Sequence, residues 1–583
     1  LYDITLLTEE MKHKTKITLV LIFLLALFFR FWKLDIYPEA IDEDEMALGY
    51  YAYSLVHDGT DEYGHKFPIY FESAGDYKYG LYSYLDSVPV FLFGLNPIAT
   101  RSVSAVAGSL SVIAIFFLAF EILKNEEYGI ISAFVLAVNP VHIHFSRVAY
   151  PNILGALFAV VSITLYLRWI RRNNFGNLIF SFFTFVVAIY SYQAYRIFLP
   201  IVFIFLPIFL YKSLGKLKYK AIIFSVLVVV SVGLSFIPSV SRARSSQTSS
   251  LINMPMLTEQ ISEDGLAKIP PTFARVFDNK ITVFVLGYTA RYFAYFNPNF
   301  LFVATTGGTE RHSIPNLGLF YLIEAPLFLL GLLYLFKVVN NGKKFIPLVI
   351  ILASPIAAAT IDSSVSTTRA VILIYGITLI VALGAFVFLT LNKKFHTLLL
   401  IALLAIYSVC ILYFLEAYTV HKIYHHPWYS DVGLKEVVLD VDRLQDNYKN
   451  VVIQGGHYIS FLFYNQTLPG EFIKNSTFND LAQANGVRVK TFGKLVFNMP
   501  DCPNAGKIHV LYICFGYKVP VASKLIDVIR YRDGQPAILI VEFVGVRKTP
   551  EKLPERVEYS KEIDNRFLDG LLPENYATFW PTQ

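Results

Sequence analysis

Charge is what this 583-residue chain has least of. Asp, Glu, Lys and Arg make up 16% of it, where soluble domains carry about 25%. Hydrophobic residues make up 55%, and the mean hydropathy is +0.50. An ordinary soluble enzyme is excluded. The net charge of +6 sits beside apolar runs and reads through the positive-inside rule, so no nucleic-acid partner is expected. Three cysteines are too few for a disulfide framework or a zinc cluster. Cys410 lies inside an apolar run. Cys502 and Cys514 lie in a polar tail and are able to pair if that tail is extracytoplasmic, although spacing alone fixes no geometry. There is no His-rich metal motif; His142 and His144, two apart at the end of an apolar run, read as boundary residues rather than ligands. No internal repeat is evident, and the low-complexity content is one Ser-rich patch at 245–250. No cleavable leader is evident either. The first apolar run ends in "RFWKLD" without a small-residue cleavage site, so it reads as a retained span. The chain opens on Leu1; Met11 followed by "KHKTK" looks the more natural start, which makes residues 1–10 an upstream extension.

What is abundant is apolar sequence in runs near twenty residues, the length that crosses a bilayer as a helix. Eleven spans are expected, at about 16–33, 101–123, 128–146, 151–170, 177–192, 197–214, 219–239, 317–336, 345–361, 370–390 and 395–415. With the N-terminus (1–15) cytoplasmic, the inner connections hold "LKNEE", "RWIRRNN", "YKSLGKLKYK", "FKVVNNGKK" and "NKKF", each carrying Lys or Arg. The short outer loops around 147–150, 193–196 and 362–369 carry one Arg each. That asymmetry supports the orientation. It also argues that 79–95 is interfacial or half a hairpin, because one more span there puts every basic loop on the wrong side. Thirteen spans, with an added pair, stay open. The membrane domain then runs over 16–419, with outer loops at 34–100 and 240–316, the second half of the latter read as re-entering the membrane. The tail, 420–583, is a separate soluble domain. It alternates helical "LKEVVLDVDRLQDNY" with β-rich "NVVIQGG", "KIHVLYICF" and "PAILIVEFV", the pattern of a small α/β fold.

The sharpest polar feature is "IDEDEMALGYYAYSL", four acids in a row just beyond the first span. Asp42 is placed to N-cap a helix, with Glu45 three residues on completing a capping box. Acids in a first helical turn gain about 0.3–1 kcal/mol each from the helix dipole. Capping accounts for two of the four. The remainder suits a general base for a hydroxyl acceptor or a cation held by carboxylates. Lys78, Arg101, Arg147, Arg196, Arg311, His312 and Arg369 fall on the same outer face, from separate stretches of chain. Each alone reads as a snorkelling or interfacial residue; together they suit an anionic lipid head group.

The ordered set "IDEDE", "DYKYGLYSYL" and "TRSVSAVAG" resembles the GT-C superfamily of lipid-dependent glycosyltransferases, and within it the protein O-mannosyltransferase and aminoarabinose-transferase group. "HFSRVAYPN", "YQAYRIFLP" and "RHSIPNLG" look like bacterial members of that group. The likeness is strongest over about 34–200, patchy to 320 and negligible in the tail. It implies a multi-pass bundle in a bacterial cytoplasmic membrane with the active site on the extracytoplasmic side. It also implies a polyprenyl-phosphate sugar donor and inverting transfer to a glycan, lipid or protein acceptor. By that resemblance Asp44 is the base, Glu45 its neighbour, and Lys78 with some of Arg101, Arg147, Arg196, Arg311 and His312 faces the donor phosphate. Three departures matter. Tyr79-Gly80 replace two prolines after the lysine. Asp42-Glu43 offers a second acid pair, leaving Asp42 or Asp44 open as the base. The tail lacks the character of a protein-mannosylating enzyme. Asp76 is read as a surface residue, with a second catalytic acid or a metal ligand as alternatives. A divalent metal stays open. The competing classes are a lipid-linked sugar transporter or flippase, and a non-catalytic scaffold; charges at the outer boundary rather than mid-span, and no inverted repeat, favour the transferase.

Overall fold

The computed structural model describes residues 11–73, 76–237, 254–305, 310–339, 341–360, 365–369, 371–391, 393–424, 431–479, 488–516 and 518–544. The Ser-rich patch at 245–250 lies outside them. A helix lies on each of the eleven expected apolar stretches: α1 (His13–Phe31), α4 (Pro97–Leu123), α5 (Glu126–Val138) with α6 (Pro140–Ser146), α7 (Pro151–Arg172), α8 (Phe175–Ser191), α9 (Tyr195–Phe209), α10 (Lys218–Ser235), α15 (Glu324–Val338), α16 (Phe345–Ala358), α17 (Ile372–Thr390) and α18 (His396–Glu416). Among the described residues, five helices are long and apolar enough to cross a membrane, and six if the bent α5–α6 pair is one span. The chain is therefore a multi-pass membrane protein.

The bend in that pair, 64°, has a local cause. Pro140 has no N–H and disfavours helical backbone before it. Asn139 is accordingly extended, ends α5, and caps α6 by accepting from the His142 N–H at 2.8 Å. The stretch at 79–95, expected to be interfacial or half a hairpin, is a short helix, α3 (Leu81–Phe93), preceded by a β-hairpin of β1 (Tyr70–Ser73) and β2 (Asp76–Tyr79). Thirteen helical residues rise about 20 Å, against about 30 Å of hydrocarbon. α3 buries Tyr82, Ser83, Asp86 and Val90, and exposes Val88, Phe91, Leu92 and Phe93. The described part of the second outer loop is helical: α11 (Met254–Leu266), α12 (Pro271–Phe277), α13 (Lys280–Ala294) and α14 (Pro298–Phe302). α13 rests on the C-terminal end of α16, where Tyr292, Tyr288 and Arg291 donate to the carbonyls of Leu352, Ile356 and Ala359.

The tail holds α19 (Leu434–Leu444), β3 (Asn450–Gln454), α20 (Tyr458–Tyr464), α21 (Pro469–Asn475), β4 (Ser476–Phe478), β5 (Val489–Phe492), β6 (Leu495–Met499), β7 (Val510–Phe515), β8 (Ser523–Arg530) and β9 (Pro536–Phe543). Its seven described strands are ordered β4-β5-β6-β3-β7-β9-β8, with β3 parallel to both β6 and β7 and the remaining neighbours antiparallel. Side chains alternate across the sheet as the strand period requires. Leu511, Ile513, Ile538 and Ile540 face the helices; Tyr512, Cys514, Leu539 and Val541 face the other side, where Cys514 is bonded to Cys502.

The tail was expected to stand apart. Instead its helix-side core is continuous with α2 (Glu43–His57), the acidic helix: Met46, Ala47, Tyr50 and Tyr51 share one cluster with Val438, Phe461, Phe463 and Ile538. Buried polar ties reinforce it. Tyr50 and Tyr53 donate to the carbonyls of Thr467 and Gln466, Tyr458 donates to Glu62 at 2.6 Å, and Arg488 donates to Glu72 at 2.6 Å.

Candidate active site

The four acids open α2. The capping box forms as the spacing predicts: Asp42 Oδ1 accepts from the Glu45 N–H at 3.0 Å and Glu45 Oε1 from the Asp42 N–H at 3.3 Å. Both side chains are fully buried. Glu45 also takes Arg101 Nε at 2.9 Å, Arg101 Nη2 at 3.0 Å and the Ala149 N–H at 2.7 Å. With those donors in place it is out of reach of an acceptor. Asp42 Oδ2 accepts from the Tyr150 hydroxyl at 3.2 Å and lies 3.4 Å from Arg311 Nη1.

The other two acids point outward. Glu43 pairs with His457 of the tail at 2.7 Å. Asp44 is 54% exposed and ion-paired with Lys78 on β2. Its charge also acts on Tyr150, Tyr192 and His312 around it. Tyr192 is in turn hydrogen-bonded to Arg369.

Electrostatics separate these groups further. Burial pushes Asp42 up to about 8, against the pull of Arg311, with Glu45, Asp44 and Asp431 adding to the rise. Burial raises Asp431 to about 6 despite the same arginine. His312 is pushed down to about 3 by burial and by the nearby charges of Arg311 and Lys422. Its ring lies within 3.2 Å of that of His144.

The four arginines expected to face a phosphate are all engaged, Arg311 with Asp42 and Asp431. Arg101, 1% exposed, donates to the carbonyls of Leu34, Pro38 and Ala40 as well as to Glu45, so the loop after α1 wraps around it. Arg147 donates to the carbonyls of Phe29, Trp32, Lys33 and Tyr37. It thereby satisfies the acceptors left at the C-terminal end of α1. Arg196 is 2% exposed; it donates to the Ile189 carbonyl and the Tyr70 hydroxyl and packs against Tyr79, Tyr190 and Phe236. Of the expected cations, Lys78 pairs with Asp44 and Arg311 feels its charge, while Arg369 meets Tyr192, on which Asp44 also acts. Asp76 is on β2, paired with Ser73 across the hairpin; its side chain is outside the described residues. His142 and His144, expected at a boundary, are wholly buried. His142 bonds Arg30 and Tyr375, and His144 bonds Tyr418 and His312. Among the described residues no cluster of three or more His, Cys, Asp or Glu has metal-holding geometry.

Asp431 and His457 had no signal in the sequence, since they come from the tail and meet α2 only through the fold. Tyr150 had a weak one, lying three residues from Arg147. A cleft of about 780 Å³ opens between the loop before α2 and the tail; Arg101, Asp431, Tyr464 and Arg530 are in its wall and Asp44 is not.

Residues 20–242 match the model of the dolichyl-phosphate-mannose-protein mannosyltransferase family. That segment contains Asp42, Glu45, Asp44, Lys78, Arg101, Arg147 and Arg196, so the resemblance to lipid-dependent glycosyltransferases holds over 34–200, where it was strongest; "RHSIPNLG" at Arg311 lies beyond the match. No curated relative matches the chain. Among solved structures it is similar to the Archaeoglobus fulgidus oligosaccharyltransferase, crystallised with Zn and sulfate, at 15% identity and a TM-score of 0.45. That likeness covers 77% of this chain and 61% of the other, so the chain spans about three-fifths of that protein's length. It is also similar to ArnT from Cupriavidus metallidurans bound to undecaprenyl phosphate, at 11% identity and a TM-score of 0.48, covering 89% of this chain and 97% of the other.

Proposed function

We propose that the protein is an eleven-span membrane glycosyltransferase with a cytoplasmic N-terminus. It moves a sugar from a polyprenyl-phosphate donor to an acceptor hydroxyl at the extracytoplasmic face, with inversion and with Asp44 as base. The observation that carries this reading is the division of labour in one helical turn. Asp42 and Glu45 are buried and used up in capping and in the Arg101 pair, while Asp44 is open to solvent and faces Lys78. The likeness of residues 20–242 to a family that takes mannose from dolichyl phosphate supports the donor class. The Cys502–Cys514 bond supports an oxidising compartment for the tail.

The step is a single displacement. The acceptor oxygen bonds to the anomeric carbon as the bond from that carbon to the phosphate oxygen breaks. The acceptor proton passes to the Asp44 carboxylate, and the polyprenyl phosphate leaves with the electron pair. Charge gathering on the leaving phosphate is met by Lys78, with Arg311 and Arg369 close by. A phosphate is a good enough leaving group to need no strong acid. The proposed step therefore calls for one carboxylate base rather than the flanking pair of a retaining hydrolase.

The test is a panel of polyprenyl-phosphate sugars added to purified protein. A true donor at a hundred times its Kd stabilises the fold by about 2.7 kcal/mol, read as a rise in the unfolding midpoint, and its sugar appears on an acceptor. Lys78→Ala is expected to weaken that donor at least about tenfold, the loss of one charged hydrogen bond. A panel that neither stabilises the protein nor yields product contradicts the proposal.

A further inference from the structure

Two buried charged groups of the tail meet the acidic turn and are not used by the chemistry above. Asp431, before α19, has a side chain 2% exposed, and its Oδ2 accepts from Arg311 Nη2 at 2.8 Å. The other terminal nitrogen of the same guanidinium lies 3.4 Å from Asp42 Oδ2. His457, before α20, has a side chain 12% exposed; its Nδ1 lies 2.7 Å from Glu43 Oε1, and its ring packs on Phe515 with centroids 4.7 Å apart. The tail thus grips the residues immediately before Asp44: Asp42 through Arg311, and Glu43 directly.

These groups are not what attaches the tail. The shared apolar core, the Tyr50 and Tyr53 hydrogen bonds and the Tyr458–Glu62 bond already do so. A buried ion pair is weak evidence for stability, because desolvation consumes most of its Coulomb energy. What such a pair does supply is direction. A planar guanidinium with one carboxylate on each terminal nitrogen has a fixed geometry, and a ring held by a neighbour and a carboxylate has one orientation.

We infer that the tail is a component of the active site, with Asp431 and His457 as positioning residues. They fix the first turn of α2, and with it the aim of the Asp44 carboxylate and the place of the Arg311 guanidinium. This rests on the sugar-transfer reading of Asp44. The physical lever is near-attack geometry, where a displacement of about 1 Å costs about 10²-fold in rate.

The experiment uses full-length protein, because the shared core leaves no free-standing tail to remove. Steady-state transfer from a polyprenyl-phosphate sugar is measured for the wild type, Asp431→Asn, Asp431→Glu, His457→Phe and His457→Gln, and unfolding midpoints are measured beside it. Asp431→Asn and His457→Phe are expected to lose about tenfold or more in kcat with donor KM within about twofold of wild type. Asp431→Glu and His457→Gln, which keep the charge or the N–H donor, are expected to recover most of that loss. An active wild type whose Asn and Phe variants keep kcat per folded molecule, or change only their midpoints, overturns the positioning role. A wild type that transfers no sugar from any donor, and gains no stability from undecaprenyl phosphate, overturns the reading beneath it instead.

Discussion

Asp42, Glu43, Asp44 and Glu45 are consecutive, and a helix sets consecutive side chains about 100° apart around its axis. Four adjacent acids therefore cannot share one environment. Asp42 and Glu45 turn into the protein and Asp44 turns to solvent. The capping pair was legible from its three-residue spacing. The use of Arg101 and Arg147 was not, because nothing local says which distant carbonyls an arginine will meet. Arg101→Ala leaves Glu45 buried without its partner and is expected to cost about 3–5 kcal/mol. Chemical unfolding of the purified variant measures this, and a change under 1 kcal/mol contradicts the pairing described. The His457–Glu43 contact gives a pH dependence of known sign. Burial works to lower the His457 pKa, but the hydrogen bond and charge of Glu43 outweigh it, so the folded value lies above the ordinary 6.5. A raised histidine lends stability fully below its unfolded value and loses it as pH rises through the folded one. The midpoint difference between wild type and His457→Gln should be largest below pH 6.5 and shrink as the pH climbs. A difference that grows with pH contradicts the assignment.

At the scale of elements, the apolar runs located the helices, and the β-rich strings of the tail became β3, β7 and β9. The polar β8 and the short β4–β6 edge carried less apolar signal and were not read. The membership of α2 in the tail core was not readable at all. Its tyrosines suit an interface belt equally well, and only their partners reveal a soluble core on one side. Packing inside the bundle turns on small residues, whose value lies in close backbone approach. A Cβ at Gly384 on α17 would meet the carbonyl oxygen of Leu327, and one at Gly331 on α15 that of Ile380. Gly384→Ala is expected to force α15 and α17 apart and to cost about 1–3 kcal/mol, seen as a lower unfolding midpoint in detergent. An unchanged midpoint contradicts that close approach.

For the molecule as a whole, the account places the acidic turn between two bodies, the bundle that confines a lipid donor and the tail that fixes the turn. Which side of the membrane this faces is checked with the cysteines. In a Cys410→Ser background, a membrane-impermeant maleimide added to intact cells after reduction is expected to label Cys502, the partly exposed member of the pair. Labelling that requires permeabilised cells places the tail inside and contradicts the orientation. The central claim, that Asp44 takes the acceptor proton, is tested most directly by single-turnover sugar transfer with donor saturating, comparing wild type with Asp44→Asn. The account predicts unchanged donor binding and a rate lower by about 10²–10⁴-fold, the usual contribution of a general base. Transfer by Asp44→Asn at the wild-type rate would contradict it.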